Sequence, residues 1–276
     1  MTRLCVTSDT HLGITSHWRV QRLVDEIRAQ KPDIVAIAGD IGEGIESIVA
    51  AMDMFSKLEL PLAVVAGNHD VWNFDKRHPS KDIWERHLPE IIQNRGGIWL
   101  ETGSLMYGSI AVVGSIAWYD YSAQDPAFKA SEEECWRRKG EFDADAWQVD
   151  WPWDDIDFSK LIEPGFRERL QGAQDDPSIR EIVVITHSPI FEAQMCRKPE
   201  NEAWAFSNAY FGNLTMGEMV AQFSKVSHAV AGHTHVARDA IIDMKGHPAR
   251  MITLGSQYRD PLYVVLDLPA EMHALR

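Results

Sequence analysis

The chain has 276 residues, 45% of them hydrophobic, enough to bury a substantial core in one large domain or two small ones. Lys and Arg number 27 against 41 Asp and Glu, so the formal charge of −14 sets up a field that repels polyanions and makes long DNA or RNA a poor default partner. The opening residues, MTRLCVTSDTH, contain no signal-peptide core, and no uncharged apolar run approaches the roughly 18 residues of a membrane span, so no membrane association and a cytoplasmic location are expected.

In chain order, short β-branched apolar runs are expected as strands at 3–8, 33–39, 62–67, 110–115, 181–186, 228–232, 251–256 and 262–268, of the type covered on both faces. Residues 17–30 place Val20, Leu23, Val24 and Ile27 on one helical face behind Ser16, and stop before Pro32. Residues 45–58 repeat the pattern with Ile45, Ile48, Val49, Met52 and Phe55. This strand, helix, strand alternation predicts right-handed crossovers and a parallel or mixed sheet. The second half is richer in strands, with a hairpin expected around Lys245-Gly246 and a second sheet packed on the first.

Between about 120 and 178 the periodicity breaks down into an acidic, aromatic stretch with Trp136, Trp147, Trp151 and Trp153. It is read as an insertion in a single domain spanning 1–276: a lid, a binding loop, an interface that would allow a homo-oligomer, or an excursion packing its tryptophans back on the body. Cys5, Cys135 and Cys196 form no Cys-x-x-Cys pair and are expected as free thiols in or near the core.

Five expected strands run directly into metal-binding residue types: Asp9-Thr10-His11, Gly39-Asp40, Gly67-Asn68-His69-Asp70, Thr186-His187 and Gly232-His233-Thr234-His235. Singly each is weak, but ligands in open α/β sheets bind beyond the carboxyl ends of strands, where all five clusters fall. The mix of imidazole, carboxylate and amide suits Zn, Mn, Fe or Ni and is too nitrogen-rich for a Ca or Mg cage. Seven candidates, Asp9, His11, Asp40, Asn68, His187, His233 and His235, are too many for one ion and suit two ions sharing a carboxylate.

These motifs, in this order over positions 9 to 235, resemble the calcineurin-like metallophosphoesterase superfamily. The resemblance implies an α/β (α+β) fold, a two-sheet mixed β-sandwich flanked by helices in four layers, with two divalent metals at one edge. It implies that Asp9, His11 and His235 hold one metal, Asn68, His187 and His233 the other, and that Asp40 bridges them. Mn is favoured. The expected reaction is attack of a metal-bridging hydroxide on a phosphoester.

In this family's pattern His69 binds no metal, leaving it free as general acid, with Asp70 as a candidate partner for its other ring nitrogen or else a cap on the following turn. Glu43 resembles the acidic position that follows the bridging aspartate and is read either as support for the site or as a helix-start carboxylate. His17 and Arg19 are near enough to the first motif to be candidate phosphate contacts, and Trp118, Tyr119 and Asp120 follow another strand end as candidates for the leaving group. The histidines at 17, 78, 87, 228, 247 and 273 lie outside the motifs and are read as surface or packing residues.

The expected function is hydrolysis of a small phosphodiester or phosphomonoester, a small diester or nucleotide being favoured. Gly-Asn-His-Asp stands where protein Ser/Thr phosphatases typically carry Gly-Asn-His-Glu, which disfavours that class, and the acidic balance disfavours a nuclease. The rival reading, a scaffold of the same fold whose metal site has decayed, is disfavoured because His69 and all seven candidates are present.

Overall fold

A computed structural model describes residues 1–74, 76–128 and 130–269. In chain order it contains β1 (Thr2–Thr7), α1 (His17–Ala29), β2 (Ile34–Ala38), α2 (Ile45–Ser56), β3 (Leu62–Val65), α3 (Ser80–Asp82), α4 (Leu88–Gln93), β4 (Gly97–Trp99), β5 (Leu105–Tyr107) and β6 (Ile110–Ser115). There follow α5 (Glu132–Phe142), α6 (Asp145–Gln148), α7 (Asp155–Asp175), β7 (Glu181–Thr186), α8 (Glu202–Phe211), α9 (Leu214–Val220), β8 (Val226–Ala231), β9 (Arg238–Asp243), β10 (Pro248–Thr253) and β11 (Tyr263–Leu268).

Two mixed sheets result, ordered β11-β1-β2-β3-β4 and β5-β6-β7-β8-β10-β9. β1 to β4 are parallel, with β11 antiparallel beside β1; β6, β7, β8 and β10 are parallel, with β5 and β9 as antiparallel edges. The period of two along each strand decides which sheet face each residue joins. Leu4, Val6, Ala36 and Ala38 from one sheet meet Val112, Ile185, Val230 and Ile252 from the other between the sheets. The alternate residues Cys5, Val35, Ile37 and Val64 face outward onto α1 and α2, covered by Val20, Leu23, Met52 and Phe55. On the far side Val113, Val184 and Ala229 are covered by Phe166 and Leu170 of α7 and Met216 and Val220 of α9. The chain thus has the four layers expected, helices outside two sheets, because strands apolar on both faces need cover on both.

The hairpin falls where Lys245 (φ 53°) and Gly246 (φ 96°) both take the left-handed conformation that matches strand twist. Ser16 precedes α1, but its hydroxyl makes no capping hydrogen bond. The segment expected to lack periodicity is largely helical. Phe158, Ile162, Phe166, Leu170 and Ala173 form an apolar stripe along α7, which carries Pro164 internally and packs on the second sheet as the crossover from β6 to β7. Pro164-Gly165 reads locally as a break; the buried stripe overrides it. Trp151 and Trp153 pack onto Phe158 (ring centroids 4.0 and 5.4 Å), whereas Trp136 and Trp147 are 63% and 68% exposed. Cys5, Cys135 and Cys196 are buried free thiols. Among the described residues no helix is long and apolar enough to cross a membrane, and His273 lies outside them.

Candidate metal centre

β1, β2 and β3 run out into Asp9 and His11, Asp40, and Asn68 and His69; β7 and β8 run out into His187 and into His233 and His235. The two sets of loops are laced together. His187 Nδ1 donates to Ala38 O (2.8 Å) and the His233 amide donates to Asp9 Oδ1 (3.0 Å). Asp9, His11, Asp40, His233 and His235 all have φ between 41° and 69°. Such backbone costs about 1–3 kcal/mol per residue and survives only where its surroundings hold it. Here Asp9 N donates to Gly39 O (3.0 Å), His11 N to Asp40 O (2.9 Å) and Gly232 N to His187 O (2.9 Å). A Cβ at Gly67 would collide with the Asp40 carboxylate, and one at Gly232 would lie 2.5 Å from Asp9 Oδ2. Both glycines are there for space.

The seven expected residues converge. Asp40 Oδ2 lies 3.4 Å from Nε2 of both His11 and His187, and Asp9 Oδ1 lies 3.9 Å from His235 Nε2. Asn68 Oδ1 is 3.0 Å from His187 Nε2 and 3.1 Å from His233 Nδ1. Each imidazole has its other nitrogen committed: His11 Nδ1 to Glu43 Oε1 (2.8 Å), His187 Nδ1 to Ala38 O, His233 Nε2 to Tyr210 O (3.0 Å) and His235 Nδ1 to Ser256 O (2.6 Å). Fixing the proton on the outer nitrogen turns a lone pair into the shared space, the arrangement a ligating histidine needs. His11 Nε2 is buried there without a hydrogen-bond partner. Asp9, His11 and His235 form one group of potential donors, and Asp9, Asp40 and His187 a second, each within 4.8 Å. The residues present fit a pair of N/O-liganded divalent ions.

His69 lies beside this set: its ring is 4.6 Å from that of His11, and with His11 and Glu43 it forms a third group of potential donors. Its ring stacks on Trp72 (centroids 3.6 Å apart, 24° between planes), its amide donates to Asp40 Oδ1 (2.9 Å), and its Nδ1 lies 3.0 Å from Glu43 Oε1. The residue expected to orient it, Asp70, is used elsewhere. Asp70 Oδ1 accepts from the amides of Ile41 (2.8 Å) and Gly42 (3.2 Å), and Oδ2 from that of Gly67 (2.8 Å). Its carboxylate knits the Asp40 loop to the Asn68 loop, and Glu43 takes the place beside His69.

Residues 2–237 match the family described as calcineurin-like phosphoesterase. The chain belongs to that family. It is therefore a phosphoric ester hydrolase of the metallophosphoesterase type. The fold is similar to that of the phosphopantetheinyl hydrolase of Mycobacterium tuberculosis, with a TM-score of 0.69 and 19% identity over 92% of this chain and 89% of that one. A dimetal phosphatase from Danio rerio gives 0.53 and 12% over 95% and 91%, and the protein TT1561 of Thermus thermophilus gives 0.54 and 12% over 91% and 88%. No curated protein sequence matches the chain.

The electrostatics of this phosphoesterase follow from the packing of charge. Burial would raise the Asp40 carboxyl, but His187, His69 and His11 around it hold it well below the usual range. Burial would lower His69; Asp40 and Glu43 outweigh it and lift the ring to about 9. His233, buried and beside His187, is pushed down to about 4, whereas burial and the nearby Asp40 push Asp70 up to about 7.

The expected substrate contacts divide. Trp118 and Tyr119 are 1% exposed, with Trp118 Nε1 donating to Asp155 (2.8 Å) and the Tyr119 hydroxyl to Asp145 (2.9 Å), so neither presents a face to a leaving group. Asp120 caps its own turn through Ser122 N (3.0 Å) and lines a cavity of about 650 Å³ that contains none of the seven donors. His17 is exposed at the start of α1, and Arg19 donates to Arg259 O (2.6 Å) with its guanidinium 4.7 Å from the Trp18 ring. Sequence reading missed Tyr258, whose ring lies 4.8 Å from His11 and 4.6 Å from His235 and is 44% exposed. It also missed Trp72 and Asp145. Only Trp72, four residues after Asn68, had a local signal.

Proposed function

We propose that this phosphoesterase cleaves a small phosphodiester or a nucleotide, with a small phosphomonoester as the second choice. The observation that supports a two-ion hydrolase most directly is the single Asp40 oxygen 3.4 Å from both His11 and His187, with His11 Nε2 buried and unpaired. Asp9, His11 and His235 would hold one ion, Asn68, His187 and His233 the other, with Asp40 shared. Two divalent ions, Mn favoured among Mn, Fe, Zn and Ni, would supply a water acidified towards neutrality and a clamp on the phosphoryl oxygens.

His69 protonates the departing oxygen from Nε2, because Nδ1 is committed to Glu43. Trp72 and Glu43 hold the ring against rotation. They also line a cavity of about 370 Å³ with Phe74, Arg77 and His78; none of the seven donors lines it, but Trp72 and Glu43 join it to His69, and this is where we place the leaving group. Asp70 acts as a loop tie, and Tyr258 bounds the opening over His11 and His235. The three buried unpaired thiols fit a reducing, cytoplasmic setting.

The test is a phosphoester panel run with Mn: cyclic nucleotides, dinucleotides, bis-diesters, monoesters and a phosphopantetheinyl ester, the last because of the Mycobacterium relative's name. Turnover should require added Mn, stop with chelator and favour a diester or nucleotide. Turnover that survives complete metal removal would sink the mechanism.

A further inference from the structure

Asn68 carries the one amide among the seven donors, and an amide can present either its oxygen or its NH₂ group to a cation with almost no change of shape. Something must select the oxygen. On the side away from His187 and His233, Asn68 Nδ2 donates to Asp145 Oδ1 at 2.9 Å. Asp145 opens α6, 77 residues further along the chain, and is 1% exposed. An ionised carboxylate only accepts, so it admits the NH₂ group and leaves Oδ1 of Asn68 facing the two imidazoles.

Oδ1 of Asp145 also accepts from Trp72 Nε1 at 2.6 Å, and Trp72 is the ring on which His69 stacks. Oδ2 accepts from the Tyr119 hydroxyl at 2.9 Å, and the Asp145 amide is turned by Asp143 Oδ1 (2.8 Å). The neighbouring backbone reinforces the tie. Asn73 N donates to Gln148 O (2.8 Å), Asn73 Nδ2 to Asp150 Oδ2 (2.7 Å), and Ser80 N to Asp150 Oδ1 (2.7 Å). The stretch 145–150 therefore grips the loop that carries Asn68 and His69 from behind.

We propose that Asp145 is a positioning residue of the metal centre: by accepting from Asn68 and Trp72 it sets the ligating oxygen of Asn68 and the ring plane of His69 together. The inference rests on the ligand reading of Asn68 given above. A charge-assisted N–H···O⁻ bond draws amide electron density towards the carbonyl oxygen, making it a better donor to a cation, as a carboxylate does for a ligating histidine. Apolar packing would have asked only for a residue of this size. A buried carboxylate is tolerated because three donors satisfy it, and two of those three belong to the catalytic loop.

The test is calorimetric titration of the full chain with Mn for wild type, Asp145→Asn and Asp145→Ala, with kcat, KM and thermal melting in parallel. Wild type should take up two ions. Asp145→Asn keeps an acceptor but loses the charge, and should weaken one of the two sites about tenfold; Asp145→Ala loses both and should weaken that site about a hundredfold, the other staying unmoved. Loss of kcat should exceed any rise in KM. Wild type taking up fewer than two ions overturns the ligand set and this inference with it. Two ions in wild type with unchanged affinities in Asp145→Asn overturns this inference alone, and so does equal weakening of both sites. Asp145→Asn carries the test by itself should Asp145→Ala not fold.

Discussion

Oε1 of Glu43 lies 2.8 Å from Nδ1 of His11 and 3.0 Å from Nδ1 of His69, so one carboxylate holds a candidate ligand and the candidate proton donor at once. Burial opposes the charge on Glu43, but its hydrogen bonds to His11 and His69 keep its carboxyl below the usual range. The same contact raises His69, and a group whose pKa is raised keeps its proton to higher pH. Replacing Glu43 by Gln should therefore move the alkaline limb of kcat/KM to lower pH. A pH–rate profile unchanged in Glu43→Gln would separate the carboxylate from the proton donor.

Removing His69 should cost according to how badly the leaving group needs a proton. With an alkyl ester, His69→Ala should lower kcat by about 10²–10⁴, the usual contribution of a positioned acid. With a nitrophenyl ester, whose anion leaves unaided, the loss should be much smaller. Equal losses on both substrates would mean that His69 acts by stabilising charge, since the backbone amide that donates to Asp40 survives the substitution.

Gly67→Ala tests the space argument without touching any donor atom. Because the new methyl would collide with the Asp40 carboxylate, the variant should lose the Mn-dependent rise in melting temperature. Mn at 100 times its dissociation constant stabilises a wild-type site by about 2.7 kcal/mol, a rise of several degrees that calorimetry or fluorescence resolves. A full rise in Gly67→Ala would show that the loop can move aside.

Glu181 offers a pH test away from the site. Burial would raise its carboxyl, yet His228, 3.4 Å away, and the Ser227 hydroxyl hold it below the ordinary value. A depressed carboxylate stabilises the fold above its unfolded pKa and loses that contribution as pH falls through the folded value. Glu181→Gln should thus lower the melting temperature by about 2–4 °C at pH 7, roughly 1 kcal/mol, and the gap should close as pH falls below the ordinary carboxylate range. A gap that is the same above and below that range would assign the effect to packing.

The strand runs and the five polar clusters at their ends were legible because both are written in short-range pattern, whereas the sandwich was implied by the family resemblance. Short apolar runs mark which residues enter a sheet, and the polar clusters after five of them mark what leaves their carboxyl ends. Ordered motifs then sufficed for the family, since five independent strand ends seldom agree by chance.

What local pattern does not carry is which group meets which across the fold. Asp70 is adjacent to His69 in sequence, but the 3₁₀ turn at His69–Val71 sends its carboxylate to the amides of Ile41, Gly42 and Gly67, and Glu43, 26 residues earlier, reaches the ring. Trp118 and Tyr119 end a strand run, as a substrate platform would, and only the packing of α5, α6 and α7 over them shows that they are buried. The composition and order of residues alone determined the class of chemistry, because metal affinity depends on donor type. The tertiary structure decided who orients, supports and shields those donors, because hydrogen bonds and burial are set by contacts such as Asn68 to Asp145, 77 residues apart, to which neither neighbourhood points.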